Sequence, residues 1–448
     1  MKRVLKYLLL LFVFFGLVVA GLVIIKYPQL DILTGYASKN ACSCLFLADR
    51  DPALIDIQDN GFMPVKLAEE TVNPSEGSTQ SSVIGVKSRK AVYHEGLGCT
   101  LLPPGFKQYD PQAVPERSQT DSLADFPFNL DSLPGSELSQ EHLNDIRSIA
   151  DQAFEHNDEK QTRALLVWHK DRLIYERYAK GIDENTRLLG WSMTKSVLAT
   201  LYGILISRGE LDMDEKPDIP EWQNDKRKLI SYRNLLQMSS GLAWDENYNA
   251  LSDVTRMLFK APDMAAVQKG KPLEHVPGDF WLYSSGTTNL LSGLLAERFD
   301  NRQEYLNFPY KELIDRIGMN SMVMETDPSL NYVGSSYGWA RARDWLKFGL
   351  LYLKEGDWYG TRIFDPEWAE FVQTPAIDSK GTYGGHFWLN SSGVMPDVPL
   401  DAYYANGYQG QRVMIVPSKE LVIVRLGLGD ESVFDFNYFF GEICKSLP

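Results

Sequence analysis

LGWSMTKSVLATLYGILISRGELD, residues 189–212, is the stretch of this chain that decides its fold class and its chemistry. Apolar side chains recur at helical spacing from Val197 onward, and Gly209 supplies the helix end. Ser192 therefore lies in the first turn, where unpaired backbone N–H groups and the positive end of the helix dipole favour a developing negative charge. Lys195, three residues further on, projects from the same face and can reach the Ser192 hydroxyl.

A lysine in apolar surroundings loses basicity and can then act as a general base near neutral pH. An ordinary N-cap serine followed by a surface lysine has the same spacing, so the Ser-x-x-Lys pattern alone is weak. Its context strengthens it, because Trp191 precedes the serine and a long apolar helix with a Gly-Glu-Leu-Asp exit follows the lysine.

In that context the stretch resembles the nucleophile helix of the serine β-lactamase and penicillin-binding protein superfamily. Within it, the likeness is to the branch of class C-like esterases and 6-aminohexanoate-oligomer hydrolases. Other segments resemble the same family in the same order: residues 232–242 (YRNLLQMSSGL), 281–286 (WLYSSG), 334–350 and 405–411 (ANGYQGQ). The likeness covers roughly residues 140–448 and leaves residues 27–130 unexplained.

The resemblance implies a role for each matching side chain. Ser192 would be the nucleophile, Lys195 its activator, and Tyr283 the phenol or phenolate that relays the proton between nucleophile, lysine and leaving group. Ser285 would hydrogen-bond Lys195 or the substrate, in the place of the family's usual asparagine. A simple turn serine at position 285 is the alternative interpretation.

The third motif of the resemblance falls on residues 405–411 and supplies the rest of the site. The oxyanion hole would be formed by the backbone N–H groups of Ser192 and Tyr408, beside Asn406 and Gly407 on the strand that lines the site. The Lys or His that usually begins this motif is Ala405 here. Without that cation, the carboxylate of a β-lactam or peptidoglycan substrate would be buried unpaired, a loss of ~1–3 kcal/mol.

We therefore expect a serine hydrolase of small or oligomeric ester or amide substrates, working without a metal or cofactor. Two alternatives stay open: a β-lactamase or D-alanyl-D-alanine peptidase, and a non-catalytic cell-wall binding or sensor protein on the same fold. A Ser-His-Asp hydrolase is disfavoured because no Gly-x-Ser-x-Gly elbow is present, and only His386 lies where a site loop is expected. The net charge of -14, without a basic patch, excludes a nucleic-acid partner.

The strand patterns predict how the domain closes. Residues 164–168 and 173–178 form one predicted hairpin, and residues 412–416 and 421–426 form another near the end of the chain. Mostly helical patterns lie between them. We therefore predict an α/β (α+β) sandwich over residues 136–448, in which N- and C-terminal strands share an antiparallel sheet, flanked by helices, with an inserted helical subdomain.

Residues 7–25, YLLLLFVFFGLVVAGLVII, form an unbroken apolar run that follows three basic residues and is closed by Lys26. Nineteen residues at the helical rise are just enough to cross a bilayer core of about 30 Å. The preceding charges predict an exported body. We expect a single-pass transmembrane signal anchor at residues 1–26, with the catalytic domain periplasmic or extracellular. A signal peptide cleaved after Ala20 is the alternative, although the run continues beyond it.

Residues 27–135 are predicted to be an N-terminal extension and linker. Residues 44–47 and 82–86 have the pattern of short strands, and prolines crowd the stretch from residue 103 to residue 134. An exported body favours oxidation, so we expect Cys99 to bond to Cys42 or Cys44, and the sequence does not choose between them. It also leaves the oligomeric state open.

Overall fold

The structure, a computed structural model, describes residues 7, 10, 12, 14, 27–83, 85–106, 109–118, 123, 125–128 and 138–448. Within these ranges, no helix is long and apolar enough to cross a membrane. Apart from four single positions, the predicted anchor at residues 1–26 lies outside the described residues. The anchor therefore stays a prediction.

The described helices and strands are as follows. The α-helices are α1 (described over residues 27–42), α2 (Pro52–Leu54), α3 (Gln140–Gln152), α4 (Asn157–Lys160), α5 (Met193–Ser207), α6 (Tyr232–Leu236), α7 (Asp253–Lys260), α8 (Met264–Lys269), α9 (Ser285–Ala296), α10 (Arg302–Pro309), α11 (Ala342–Leu353), α12 (Pro366–Gln373) and α13 (Phe436–Lys445). Short 3₁₀ or π turns lie at Ser43–Leu47, Ile55–Asp59, Val65–Leu67, Pro74–Glu76, Pro220–Trp222, Lys226–Leu229, Tyr310–Ile314, Tyr408–Gly410 and Pro417–Lys419.

The strands are β1 (Glu69–Asn73), β2 (Ser78–Val83), β3 (Lys87–His94), β4 (Gly98–Leu101), β5 (Thr162–His169), β6 (Arg172–Tyr178), β7 (Leu188–Leu189), β8 (Val323–Met324), β9 (Gly338–Ala340), β10 (Asp357–Trp358), β11 (Thr361–Arg362), β12 (Trp388–Leu389), β13 (Tyr403–Gly407), β14 (Gln411–Val416) and β15 (Leu421–Gly427). The central sheet has the order β12-β13-β14-β15-β5-β6, and every neighbouring pair is antiparallel. The two predicted hairpins, β5–β6 and β14–β15, lie side by side in it. The predicted antiparallel sheet of N- and C-terminal strands is confirmed.

Alternate side chains of the sheet pack into two different layers, as the pleat of a strand requires. Leu166 and Val413 face a large core shared with α5, α9 and α11. Leu165 and Met414 face a second core that includes side chains of α3 and α13. The strands are therefore apolar on both faces, and helices cover both. The nucleophile helix α5 belongs to the first layer, beside β13.

The extension forms a small unit of its own, built from α1 and the four-stranded sheet β1-β2-β3-β4. The strand predicted at residues 44–47 is wrong: these residues continue α1 as a π turn, and Cys44 and Leu47 of that turn face the interior. Cys42 is bonded to Cys99 of β4, which decides the pairing that the sequence left open. Cys44 is a buried free thiol.

Buried ion pairs join the extension to the rest of the molecule. Lys39 of α1 pairs with Glu325, next to β8, and both side chains are almost fully shielded from solvent. Asp59 of the extension lies 2.8 Å from Arg163 of β5 and also pairs with Arg50. Burial alone would raise the pKa of Asp59, but the two guanidinium groups outweigh it and hold that pKa below its usual value.

Candidate active site

A tight turn between β7 and α5 carries Ser192. Gly190 donates its N–H to the Gly338 carbonyl of β9 at 2.8 Å, which fixes the turn on the neighbouring strand. A Cβ at position 190 would lie 2.2 Å from the Trp345 ring, so only glycine allows this close packing. Ser192 precedes α5 and makes no side-chain capping bond. Its hydroxyl is therefore not engaged in capping the helix.

The ammonium group of Lys195 meets the Ser192 hydroxyl. Lys195 is 1% exposed, and its Nζ lies 3.0 Å from Ser192 Oγ, 2.9 Å from Ser285 Oγ and 2.8 Å from the Ser335 carbonyl oxygen. Burial lowers the pKa of Lys195 to about 8, although the charge of Glu246 opposes the shift. About a tenth of this amine is thus unprotonated at pH 7, far more than for an ordinary lysine, and this fraction can act as a general base.

Tyr283 stands on the other side of the Ser192–Lys195 pair. Lys195 Nζ lies 4.9 Å from the centroid of the Tyr283 ring, and the ring packs against Tyr383 and Trp388. Burial and the charge of Glu246 raise the pKa of Tyr283 well above its usual value, while a hydrogen bond with Ser192 works against them. Tyr283 is therefore a neutral phenol near neutral pH.

Glu246 organises the site from behind Ser285, and the sequence interpretation did not include it. The Ser285 hydroxyl donates to Glu246 Oε1 at 2.5 Å, and the Ser285 N–H donates to Oε2 at 2.9 Å. The Tyr248 hydroxyl donates to Oε1 at 2.9 Å, and the Trp244 indole N–H donates to Oε2. These bonds turn the Ser285 oxygen toward Lys195. The only sequence signal is a Trp-x-Glu-x-Tyr cluster in a polar loop.

The end of β13 lies beside the turn that carries Ser192. A Cβ at Gly407 would lie 2.1 Å from the Gly190 carbonyl oxygen, so glycine permits the strand to approach. Tyr408 follows, with a ring that is 40% exposed and lies 5.6 Å from Trp191. Tyr408 also stacks on Tyr248 at 5.8 Å, which joins the strand end to the Glu246 loop. The structure thus brings Gly407 and Tyr408 to the turn that carries Ser192, and their oxyanion role stays a prediction.

Comparison with known proteins identifies the family of this chain. The family model described as Beta-lactamase matches residues 150–437, which is more than half of the chain. The chain belongs to the beta-lactamase family. A curated relative, the 6-aminohexanoate-dimer hydrolase of Paenarthrobacter ureafaciens, is 21% identical over 301 residues, covering 60% of this chain and 73% of the relative.

Solved structures share the beta-lactamase fold with this chain. A family VIII carboxylesterase has a TM-score of 0.54 at 14% identity, covering 69% of this chain and 99% of its own. EstCE1, a hydrolase with promiscuous acyltransferase activity, has a TM-score of 0.53 at 14% identity, covering 68% of this chain and 98% of its own. Together with the family model, these structures confirm the predicted superfamily, and the chain belongs to a family of beta-lactamase-fold hydrolases. The extension lies outside the matched region.

The beta-lactamase-family motif on β13 departs from its usual chemistry at Ala405. Ala405 is 1% exposed and belongs to the core on the α5 face of the sheet. Asn406 accepts a hydrogen bond from Arg412, whose guanidinium lies 4.4 Å from the Phe436 ring centroid and pairs with Glu431. The Asn406 side chain therefore belongs to the α13 face, away from the Ser192 group. Arg412 does not replace the cation that position 405 lacks.

The buried His386 ring makes hydrogen bonds through both of its nitrogen atoms. It is 2% exposed, and its Nδ1 lies 2.6 Å from the Leu236 carbonyl oxygen while Nε2 lies 3.0 Å from Thr288 Oγ1. Burial lowers the pKa of His386 to about 4, so the ring is neutral at physiological pH. The ring joins α9 to α6, and its hydrogen bonds go to neither Ser192 nor Tyr283.

Proposed function

We propose that this chain is a serine hydrolase that cleaves neutral esters or amides through an acyl-enzyme on Ser192. The observation that carries the proposal is the buried Lys195 amine, 3.0 Å from Ser192 Oγ and with a pKa lowered to about 8. A cell-wall binding protein has no need of a base poised on a hydroxyl, because binding alone transfers no proton.

Acylation follows from the positions of three side chains. The neutral Lys195 amine takes the Ser192 proton while Oγ bonds to the substrate carbonyl carbon, and the backbone N–H groups of Ser192 and Tyr408 stabilise the oxyanion. As the scissile bond breaks, Tyr283 gives its proton to the leaving alcohol or amine, and Lys195 returns the proton to Tyr283. Water then attacks the ester on Ser192, and its proton travels the reverse route to restore the serine.

The choice of neutral substrates rests on the pocket charges. Ala405 supplies no cation, and Arg412 is held by Asn406 and Glu431 on the opposite face of the sheet. A carboxylate close to the scissile bond would thus lose its hydration without gaining a partner. One relative is named a 6-aminohexanoate-dimer hydrolase and a structural neighbour a family VIII carboxylesterase, which supports an ester or amide as the bond that is cleaved.

A serine-directed probe tests the nucleophile. A fluorophosphonate should label the purified chain at Ser192, and Ser192→Ala should abolish the label. Lys195→Ala and Tyr283→Phe should each lower turnover of a p-nitrophenyl ester by a factor of about 10²–10⁴, because each removes a proton-transfer group from one catalytic unit. Circular dichroism checks that the variants fold. Equal labelling of wild type and Ser192→Ala would overturn the assignment.

We also propose that residues 7–25 anchor the protein in a cell membrane with the hydrolase outside the cytoplasm. The apolar run and its basic flank support the anchor, and the Cys42–Cys99 bond supports an oxidising compartment. Full-length protein should stay in the membrane pellet after a carbonate wash. Complete release with a mature N-terminus at Gly21 would instead establish a cleaved signal.

A further inference from the structure

Trp191, the residue immediately before Ser192, has an unusual backbone conformation. Trp191 has a φ of +47°, a left-handed conformation that bulky side chains rarely adopt. Such a conformation persists only where the surroundings impose it. Since Trp191 is joined directly to Ser192, any relaxation of its backbone would move the nucleophile relative to Lys195.

Three aromatic rings surround the Trp191 side chain. Tyr337 lies 6.1 Å away and Tyr408 lies 5.6 Å away, both from the hydrolase domain. The third ring is Tyr36 of α1, which stacks on Trp191 at 6.1 Å with an interplanar angle of 21°. One of the three contacts thus comes from the extension, which the beta-lactamase family model does not cover.

Tyr36 is itself fixed in place. Its ring meets Phe62 of the extension at 5.4 Å and Phe259 of α7 at 5.8 Å. Along the same helix, Lys39 pairs with Glu325, and Cys42 is bonded to Cys99. Tyr36 therefore contacts Trp191 from a helix, α1, that an ion pair and a disulfide bond hold in place.

Only small cavities adjoin the contact between Tyr36 and Trp191. A cavity of about 20 Å³ lies between α1 and the hydrolase domain, lined among others by Tyr36, Asn40 and Trp191. That volume holds about one water molecule. Without the Tyr36 ring, this cavity would grow by the volume of a phenol ring, and the Trp191 indole would lose a stacking partner.

We infer that Tyr36 is a positioning residue for Ser192, and that the extension is a working part of the hydrolase. By filling the space behind Trp191, Tyr36 preserves the left-handed turn that holds Ser192 Oγ against Lys195 Nζ. The inference rests on the proposed function, since it assumes that Ser192 is the nucleophile.

The experiment compares two ring deletions within the extension of the full chain. Tyr36→Ala removes the ring on Trp191, and Phe46→Ala removes a ring that stacks on Tyr93 at 6.0 Å, inside the extension. Tyr36→Ala should lower kcat for p-nitrophenyl butyrate and the rate of fluorophosphonate labelling about tenfold or more, with little change in KM, because small displacements of reacting groups cost large factors in rate. Phe46→Ala should lower the melting temperature comparably while kcat stays near wild type.

Tyr36→Phe keeps the ring and should restore both rates. If Tyr36→Ala does not fold, Tyr36→Leu supplies the same comparison, with the same loss of kcat expected. Equal kcat in the Tyr36 and Phe46 variants would overturn the inference. Labelling of the wild type at Ser192 distinguishes failure of this inference from failure of the proposed function. If the wild type is labelled and Tyr36→Ala is labelled at the same rate, only this inference is wrong. If the wild type is not labelled at Ser192, the proposed function is wrong.

Discussion

Lys195 and Glu246 form the electrostatic centre of the site at the scale of single residues. Burial favours the neutral amine, whereas the carboxylate of Glu246 favours the protonated form. The balance leaves the pKa of Lys195 at about 8. Ser285 lies between the two charges, since its hydroxyl accepts from Lys195 and donates to Glu246. We therefore expect burial and one neighbouring carboxylate to set the pH dependence of catalysis.

We expect kcat/KM for a neutral ester to rise with pH along a curve whose midpoint is about 8, because only unprotonated Lys195 can take the Ser192 proton. Glu246→Gln removes the charge that raises this pKa, so the curve should move to lower pH. Asp245→Asn, one residue away on an exposed side chain, is the matched control and should leave the curve in place. A midpoint unmoved by Glu246→Gln would assign the titration to another group.

We expect the residue at position 405 to influence the charge preference of the site. The wild type should hydrolyse short p-nitrophenyl esters and turn over little or no nitrocefin. Ala405→Lys should shift the ratio of the two kcat/KM values toward the anionic substrate by about 1–3 kcal/mol, since a charge partner is then available. Ala405→Met, of similar length and no charge, is the control. Efficient nitrocefin hydrolysis by the wild type would contradict the assignment of neutral substrates.

At the scale of elements, the site depends on β13 lying close to the turn before α5. Gly407 allows that approach, because a Cβ there would lie 2.1 Å from the Gly190 carbonyl oxygen. The contact is backbone against backbone, so no side chain can move aside to relieve it. The end of β13 and the turn before α5 can therefore pack together without a clash in only one relative position.

Gly407→Ala should displace the strand end, lower kcat more than KM changes, and destabilise the fold by about 1–3 kcal/mol. Gly270→Ala, at the end of α8, is the control: the added Cβ would meet its nearest neighbour at an ordinary 3.5 Å. Ester kinetics and thermal melting of both variants make the test. Wild-type kcat in Gly407→Ala would mean that the oxyanion donors do not depend on this approach.

At the scale of the whole molecule, buried charges fasten the extension to the hydrolase domain. Asp59 accepts from Arg50 and Arg163, and these side chains are nearly shielded from water. Removing the carboxylate would strand two buried guanidinium groups without a charged partner. A pair of this kind adds little to stability while intact and is costly to break from one side.

We expect Asp59→Asn to lower the free energy of unfolding by about 3–5 kcal/mol, measured by denaturant titration. The pKa of Asp59 is depressed in the folded state, so its contribution is present above the unfolded value of about 3.9 and is lost as the pH falls through the folded pKa. Asp56→Asn, in the same turn but exposed, is the control. Equal stability of Asp59→Asn and wild type would show that the pair does not hold the extension.

The sequence by itself determined the central sheet, the nucleophile helix and the superfamily, because each is written in local periodicity or in a motif within a few residues. Signals of this kind are the apolar runs of β5 and β14–β15 and the spacing between Ser192 and Lys195. The sharing of one antiparallel sheet by N- and C-terminal strands followed from placing the first hairpin beside the last, whereas the strand order came from the structure.

Only the tertiary structure decided what depends on distant parts of the chain meeting. Glu246 reaches Ser285 from a loop 39 positions earlier, and nothing in its local pattern marks that contact. In the sequence, Cys42 and Cys44 were equal candidates for the bond to Cys99. In the structure, Cys42 is the one that is bonded to Cys99. Asn406 and Ala405 differ by one position, and the pleat of β13 sends them to opposite faces. Tyr36 meets Trp191 across 155 positions, because packing joins surfaces that no local pattern relates.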